Sequence, residues 1–219
     1  MEWILLIASL IIAFGAQAYI NATYNRMRKV PNTKGISGVE AARVILDNNG
    51  LNDVYVIKTG GKLTDHYDPR RKTIRLSGDI FDGTSVASIA VAAHEVGHAI
   101  QDKERHFFMR LRSLIFPIVK IASTLSYVAI MIGIFAGIMQ LFTIGIYLLL
   151  ATLAFELITL PVEFGASNRA MKELEKNNIV TSGDKPMASK MLKAAAFTYI
   201  ASVVTTVLQI LRLMSMSRR

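Results

Sequence analysis

The sequence predicts a membrane protein, mainly α with a small α+β soluble insert: about four hydrophobic helices and one further helix carrying a His-Glu-x-x-His motif. Three observations support this. Of the 219 residues, 52% are hydrophobic, and they concentrate in three regions, Trp3 to Ile20, Leu114 to Pro161 and Ala194 to Leu211. Each approaches or exceeds the roughly 20 apolar residues needed to cross a hydrocarbon core of about 30 Å. The middle region is long enough for two crossings and has no charge between Met131 and Phe155, so a transmembrane hairpin is expected. The stretch between the first two regions instead alternates short helical and strand-like patterns, as a small folded domain does.

The elements follow in order. Ala16-Gln17-Ala18 resembles a signal-peptidase site, but only Glu2 precedes the apolar run, where a secretory leader carries positive charge. An uncleaved anchor is expected. Arg26, Arg28, Lys29 and Lys34 follow it, which places the N-terminus outside and the next domain in the cytoplasm. Pro31 to Gly38 reads as a linker. Ser37 and Glu40 form a capping box that opens a helix running to about Asn48, and Asn49-Gly50 ends it. Val54 to Ile57 and Lys72 to Leu76 read as short strands with a Gly60-Gly61 turn after the first. Asp82-Gly83-Thr84-Ser85 offers caps for a helix from about Ser85 to Glu104.

The expected organisation is therefore an anchor at 1–22, a cytoplasmic α+β region at 23–113 and a transmembrane hairpin at 114–162. A cytoplasmic helix at 163–193 and a C-terminal hydrophobic helix at 194–219 complete it. If that last helix crosses, Arg218 and Arg219 end outside, against the positive-inside rule. A tilted or interfacial path is the alternative.

Composition narrows the chemistry. The formal charge of +9 flanks the apolar regions and forms no aromatic-interleaved basic stripe, so it marks topology and contact with anionic lipid; nucleic acid is not an expected partner. With no cysteine, disulfides and thiolate metal sites are excluded, and any metal must take nitrogen and oxygen ligands.

His94-Glu95-Val96-Gly97-His98 supplies such ligands. Residues four apart share a helix face, so both imidazoles can address one zinc ion while Glu95, one step round, reaches a water as general base. A catalytic zinc usually takes a third protein ligand. After His98 the chain crosses twice, through about Leu114–Ala136 and Met139–Pro161, and returns to its starting side at Glu163, which parity selects as that ligand. Glu156 is a rival seven residues earlier, expected otherwise to pair with Lys120 or Arg212 or to bond Gln209. Asp65, Asp68 and His66 are further candidates. For Leu63–Pro69, a solvated Asx-type turn stands beside a second reading, in which His66 or Tyr67 faces the metal pocket and contacts substrate or the developing oxyanion. Arg169 is a third candidate for that donor. A peptide could add as a strand to an exposed edge at Val54–Ile57 or Thr73–Leu76.

The Leu63–Pro69 stretch, His94 through Gln101, and Leu160-Pro161-Val162-Glu163-Phe164 together resemble the YugP-type membrane zinc metallopeptidases. The likeness runs from about Gly35 to Leu211. More distantly, the motif, the hairpin and Glu163-Phe164-Gly165-Ala166 resemble the HtpX-like heat-shock peptidases. The resemblance implies one zinc ion per chain held by His94, His98 and Glu163, with Glu95 as catalytic base. It also implies a multi-pass protein of the bacterial plasma membrane whose site faces the cytoplasm and takes peptide or membrane-protein substrates. A homo-oligomer or a regulatory membrane partner is compatible with it. Gly165 and Ser167 depart from the pattern: relatives carry acidic residues there, and such a carboxylate would orient a ligand histidine.

Overall fold

The computed structural model describes residues 2–216, so Arg218 and Arg219 lie outside the described residues. Among the described residues, seven α-helices and three strands follow in order: α1 (Glu2–Met27), α2 (Gly38–Asn48), β1 (Tyr55–Thr59), β2 (His66–Asp68), β3 (Thr73–Ser77), α3 (Gly78–Phe81), α4 (Val86–Lys103), α5 (Phe107–Ala136), α6 (Met139–Lys176) and α7 (Asp184–Met216). The chain is a mainly α membrane protein with a small α+β insert. Helices α1, α5, α6 and α7 are each long and apolar enough to cross a membrane.

Two compact units divide these elements. One takes residues up to Gln17, Arg110–Pro161 and the chain from Thr198 onward. Its helices turn large apolar side chains outward, Trp3 at 75% and Phe135 at 80% exposure. Such surface suits lipid, where outward apolar groups cost nothing. Gly137, at φ +70°, makes the left-handed turn that joins α5 to α6. The paired helices are tied by Ser126, whose hydroxyl donates to the Gly145 carbonyl at 2.8 Å.

The other unit, Ala18–Met109 with Val162–Phe197, holds the larger core. Ile45 and Leu46 of α2, Ile74 and Leu76 of β3, Ile80 of α3 and Ile89 of α4 are fully buried together. The capping box forms as its spacing requires: the Glu40 amide donates to Ser37 Oγ while the Glu40 carboxylate accepts from the Ser37 amide. The linker is ordered by Asn32, whose amide nitrogen donates to the carbonyls of Ile36 and Thr84.

The sheet differs from the sequence expectation in one consequential way. Strand order is β1-β3-β2, with β1 parallel and β2 antiparallel to β3. The stretch expected to be a turn thus contains β2, with His66 opposite Arg75. Because β3 is paired on both sides, Thr73–Leu76 is not an edge; the free edges belong to β1 and β2. The fully buried Ile74 and Leu76 match that central position.

The helices also run further than the apolar pattern. Helix α6 continues through Pro161 to Lys176, and α7 begins at Asp184 rather than near Ala194. The start of α7 is fixed by Asp184, which accepts from the amide and hydroxyl of Thr181 and from those of Thr33.

Candidate metal centre

Helix α4 is the platform. Ser85 caps it by accepting from the Ser88 amide at 3.1 Å. Beyond the cap nearly every side chain is buried, Ala92, Ala93, Val96 and Ala99 completely. Small residues let a neighbour come close, and Gly97 lets it come closest. A Cβ on Gly97 would lie 2.6 Å from the Ala166 carbonyl oxygen of α6, so no larger residue fits without moving a backbone. This contact brings Glu163 against the two histidines.

The resulting geometry is compact. His94 Nε2 lies 3.3 Å and His98 Nε2 3.6 Å from Glu163 Oε2. The rings stand at 84° with centroids 4.8 Å apart. These three residues form a cluster able to hold a metal ion. Ligands at zinc bond lengths of roughly 2.1 Å, set at tetrahedral angles, are separated by about 3.4 Å. The two spacings to Glu163 match that edge, all three ligand atoms lie within 4.8 Å of one another, and the donor set, two imidazole nitrogens and a carboxylate oxygen, is one that zinc accepts. Glu163 is 1% exposed and His98 is buried, so the cluster is closed to bulk water on the α6 side.

The outer nitrogens of both rings are engaged as well. His98 Nδ1 lies 3.0 Å from Gln101 Oε1, and the same amide donates from Nε2 to the Val162 carbonyl at 2.8 Å. The second bond fixes the amide's orientation, leaving its oxygen to accept from Nδ1–H and Nε2 of His98 free to bind metal. Ser167 Oγ lies 3.2 Å from His94 Nδ1 and serves the same end. Ser167 thus reaches one ligand histidine with a hydroxyl. At Gly165 the absent side chain leaves room for Gln101: a Cβ there would stand 2.8 Å from Gln101 Nε2.

Glu95 is buried beside the cluster. Burial pushes its carboxyl up from the ordinary value, the His94 and His98 imidazoles oppose this, and the charges of Glu163 and Asp65 add to it. Asp65 belongs to the loop before β2 and accepts from the Ser77 amide at 2.7 Å.

The remaining candidates lie elsewhere. His66 is exposed on β2, its Nδ1 2.8 Å from the Thr64 carbonyl, and is not in the cluster. Tyr67 donates to Asp102 on α4 at 3.0 Å, and burial with that neighbour holds its hydroxyl protonated to high pH. Arg169 is bound to Glu104. Glu156 meets the hydroxyls of Ser202 and Thr206 rather than the expected Lys120, Arg212 or Gln209.

A family model described as "Putative neutral zinc metallopeptidase" matches residues 2–218. The chain belongs to that family. It is 41% identical over 208 residues to the "Putative membrane protease YugP" of Bacillus subtilis (strain 168), an alignment covering 95% of this chain and 92% of that protein. No solved structure matches. Zinc is the metal the family implies, and the cluster on α4 and α6 fits it.

Proposed function

We propose that this family member is a membrane-bound zinc endopeptidase working at the cytoplasmic membrane face. The observation that carries the reading is the convergence of His94 Nε2, His98 Nε2 and Glu163 Oε2 at zinc-ligand spacing with Glu95 beside them. Zinc, when bound, supplies a Lewis acid that makes water nucleophilic near neutral pH.

The chain supplies the rest. Glu95 takes the proton of the attacking water on its carboxylate and returns it to the leaving nitrogen. Its burial raises its proton affinity, which suits a group that must both accept and release a proton. Gln101 and Ser167 hold the two rings in one tautomer. The free edge of β2 receives the substrate as an added strand, with His66 available to contact it. The charges at and just after the end of α1, from Arg26 to Lys34, support a cytoplasmic site, and a bacterial membrane location agrees with the name and organism of the relative.

A non-catalytic, zinc-stabilised scaffold or protease adaptor is the competing reading. Its ground in the sequence is the missing acidic support for a ligand histidine, and the contacts of Gln101 and Ser167 stand in that place. Metal analysis of the purified chain tests the site: one zinc per chain is expected, lost on Glu163→Ala. Glu95→Gln is expected to keep the zinc and abolish cleavage. A chain that stays metal-free after zinc is supplied overturns the proposal.

A further inference from the structure

Within the membrane unit, α5, α6 and α7 line a cavity of about 460 Å³ for which the peptidase chemistry has no use. Its wall carries charge of both signs: Arg112 and Lys120 from α5 and Glu156 from α6. The two cations stand eight residues apart on one face of α5, about 12 Å along its axis, with Phe116 between them. Arg112 precedes the apolar stretch that opens at Leu114, whereas Lys120 lies six residues inside it, about 9 Å deeper. Helical side chains lean toward the N-terminal end of their helix, which favours a Lys120 ammonium drawn back toward Arg112 along an apolar stem.

Two polar groups on this wall lack partners among the described residues. The Lys120 ammonium has neither an ion pair nor a hydrogen bond. Glu156 Oε1 accepts from Ser202 at 2.6 Å and Thr206 at 3.1 Å, but its Oε2 is buried and unbonded. The hydroxyls of Thr124, Thr152 and Thr159 do not complete it, because they donate to carbonyls of their own helices at 3.2, 3.1 and 2.9 Å. Two cations against one carboxylate also leave the wall with a net formal charge of +1. Uncompensated charge and an unmet carboxyl oxygen are both costly within a span.

A complementary occupant therefore has three parts. A negative group meets the two cations, an O–H or N–H donor meets Glu156 Oε2, and an apolar body lies against Phe116, Val119 and Phe155. A metal ion is repelled by the cations, water brings neither charge nor apolar surface, and a free phosphate lacks the apolar part. Among lipids, a phosphocholine headgroup has no donor, and phosphoethanolamine has donors but no net charge. A phosphoglycerol headgroup brings a negative phosphate, free hydroxyls and acyl chains together. Basic pockets between transmembrane helices are a recurring form of anionic-lipid site.

We propose that this cavity binds an anionic phospholipid of the phosphatidylglycerol class, its phosphate against Arg112 and Lys120 and a glycerol hydroxyl donating to Glu156 Oε2. The bound lipid joins α5 to α6, and through Ser202 and Thr206 the same carboxylate is joined to α7. The site is independent of the peptidase reading, since it needs neither zinc nor cleavage.

The test is native mass spectrometry of the full chain in detergent, titrated with defined lipids. Phosphatidylglycerol is expected to bind about tenfold more tightly than phosphatidylcholine or phosphatidylethanolamine. Phosphatidylmethanol, equally charged but without a hydroxyl, should bind severalfold more weakly than phosphatidylglycerol. Lys120→Gln should weaken both anionic lipids about fivefold, the worth of one basic residue facing an anionic headgroup. Lys120→Arg should keep the affinity, and Arg110→Gln, which removes a charge of α5 outside the cavity, should change little. Glu156→Leu should erase the preference for phosphatidylglycerol over phosphatidylmethanol. Equal affinity of the unaltered chain for phosphatidylcholine, phosphatidylethanolamine and phosphatidylglycerol overturns the inference without any variant. So do equal losses in Lys120→Gln and Arg110→Gln, a headgroup preference that survives Glu156→Leu, or displacement of the lipid by glycerol 3-phosphate. None of these outcomes bears on cleavage, so the peptidase reading stands or falls separately on the zinc and Glu95→Gln measurements.

Discussion

Glu163 and Glu156 are the same residue type on the same helix, seven positions apart, yet their neighbours give them opposite characters. Glu163 is met by two imidazole nitrogens whose far sides are engaged by Ser167 and Gln101, so one carboxylate oxygen and two ring nitrogens converge on one point. Glu156 is met by hydroxyls that donate to one oxygen and leave the other bare. A carboxylate's role is thus written in what stands across from it, since helix and side chain are shared. A metal site needs several lone pairs aimed at one point, which Glu163 has and Glu156 lacks.

Removing each carboxylate in turn and measuring zinc puts that contrast most directly at risk. Glu163→Ala should weaken zinc binding by more than about 100-fold, beyond the range seen for outer-sphere partners, read by chelator competition; Glu156→Gln should leave the stoichiometry unchanged. Should the two variants behave alike, the assignment of roles is wrong. Next in size, Glu95→Gln should lower turnover by about 10²–10⁴-fold, the usual worth of a general base, with zinc retained.

Gly97→Ala follows. Its Cβ would meet a backbone oxygen at 2.6 Å, and overpacking of that kind costs about 1–3 kcal/mol. A lowered melting temperature together with weaker zinc binding would confirm that the α4–α6 approach sets the ligand spacing; weaker zinc with unchanged melting would not. Gln101→Leu should weaken zinc about 10–100-fold without changing its stoichiometry, as loss of an orienting partner does.

The mildest change concerns the α7 start. Burial raises the Asp184 carboxyl, but the bonds from Thr181 and Thr33 outweigh it and leave it below the ordinary value. A depressed folded-state value means stabilisation present above the unfolded carboxylate range and lost as pH falls through the folded one. Asp184→Asn should therefore cost about 1 kcal/mol near neutrality, as loss of a helix cap does, and less at strongly acid pH, checked by denaturant melts at both.

Much of this is legible in the residues because the signals are long or chemically exclusive. Long apolar stretches, a capping box at Ser37 and Glu40, and paired histidines on one helix face are each compatible with few structures. Chain parity alone points to Glu163. Strand β2 escapes notice because three polar residues, His66 to Asp68, carry too little alternation to show a strand, and without it β3 looks like an edge. Gln101 and Ser167 carry a weaker signal: each lies three or four positions from a histidine or glutamate of the cluster, hence on the same face of its helix. Their partners come from a second helix, or from a contact whose distance only folding fixes. The orphan oxygen of Glu156 depends on what fails to approach it, which no spacing rule conveys.

The tight seam at Gly97 and Ala166 has a practical bearing on borrowing this site. Anyone grafting the three ligating side chains onto another helix pair would have to graft these two tiny neighbours as well, though neither offers an atom to the ion. With a bulkier pair the helices would part, and a glutamate would no longer span the gap. The emptiest positions in the motif thus set its calibre.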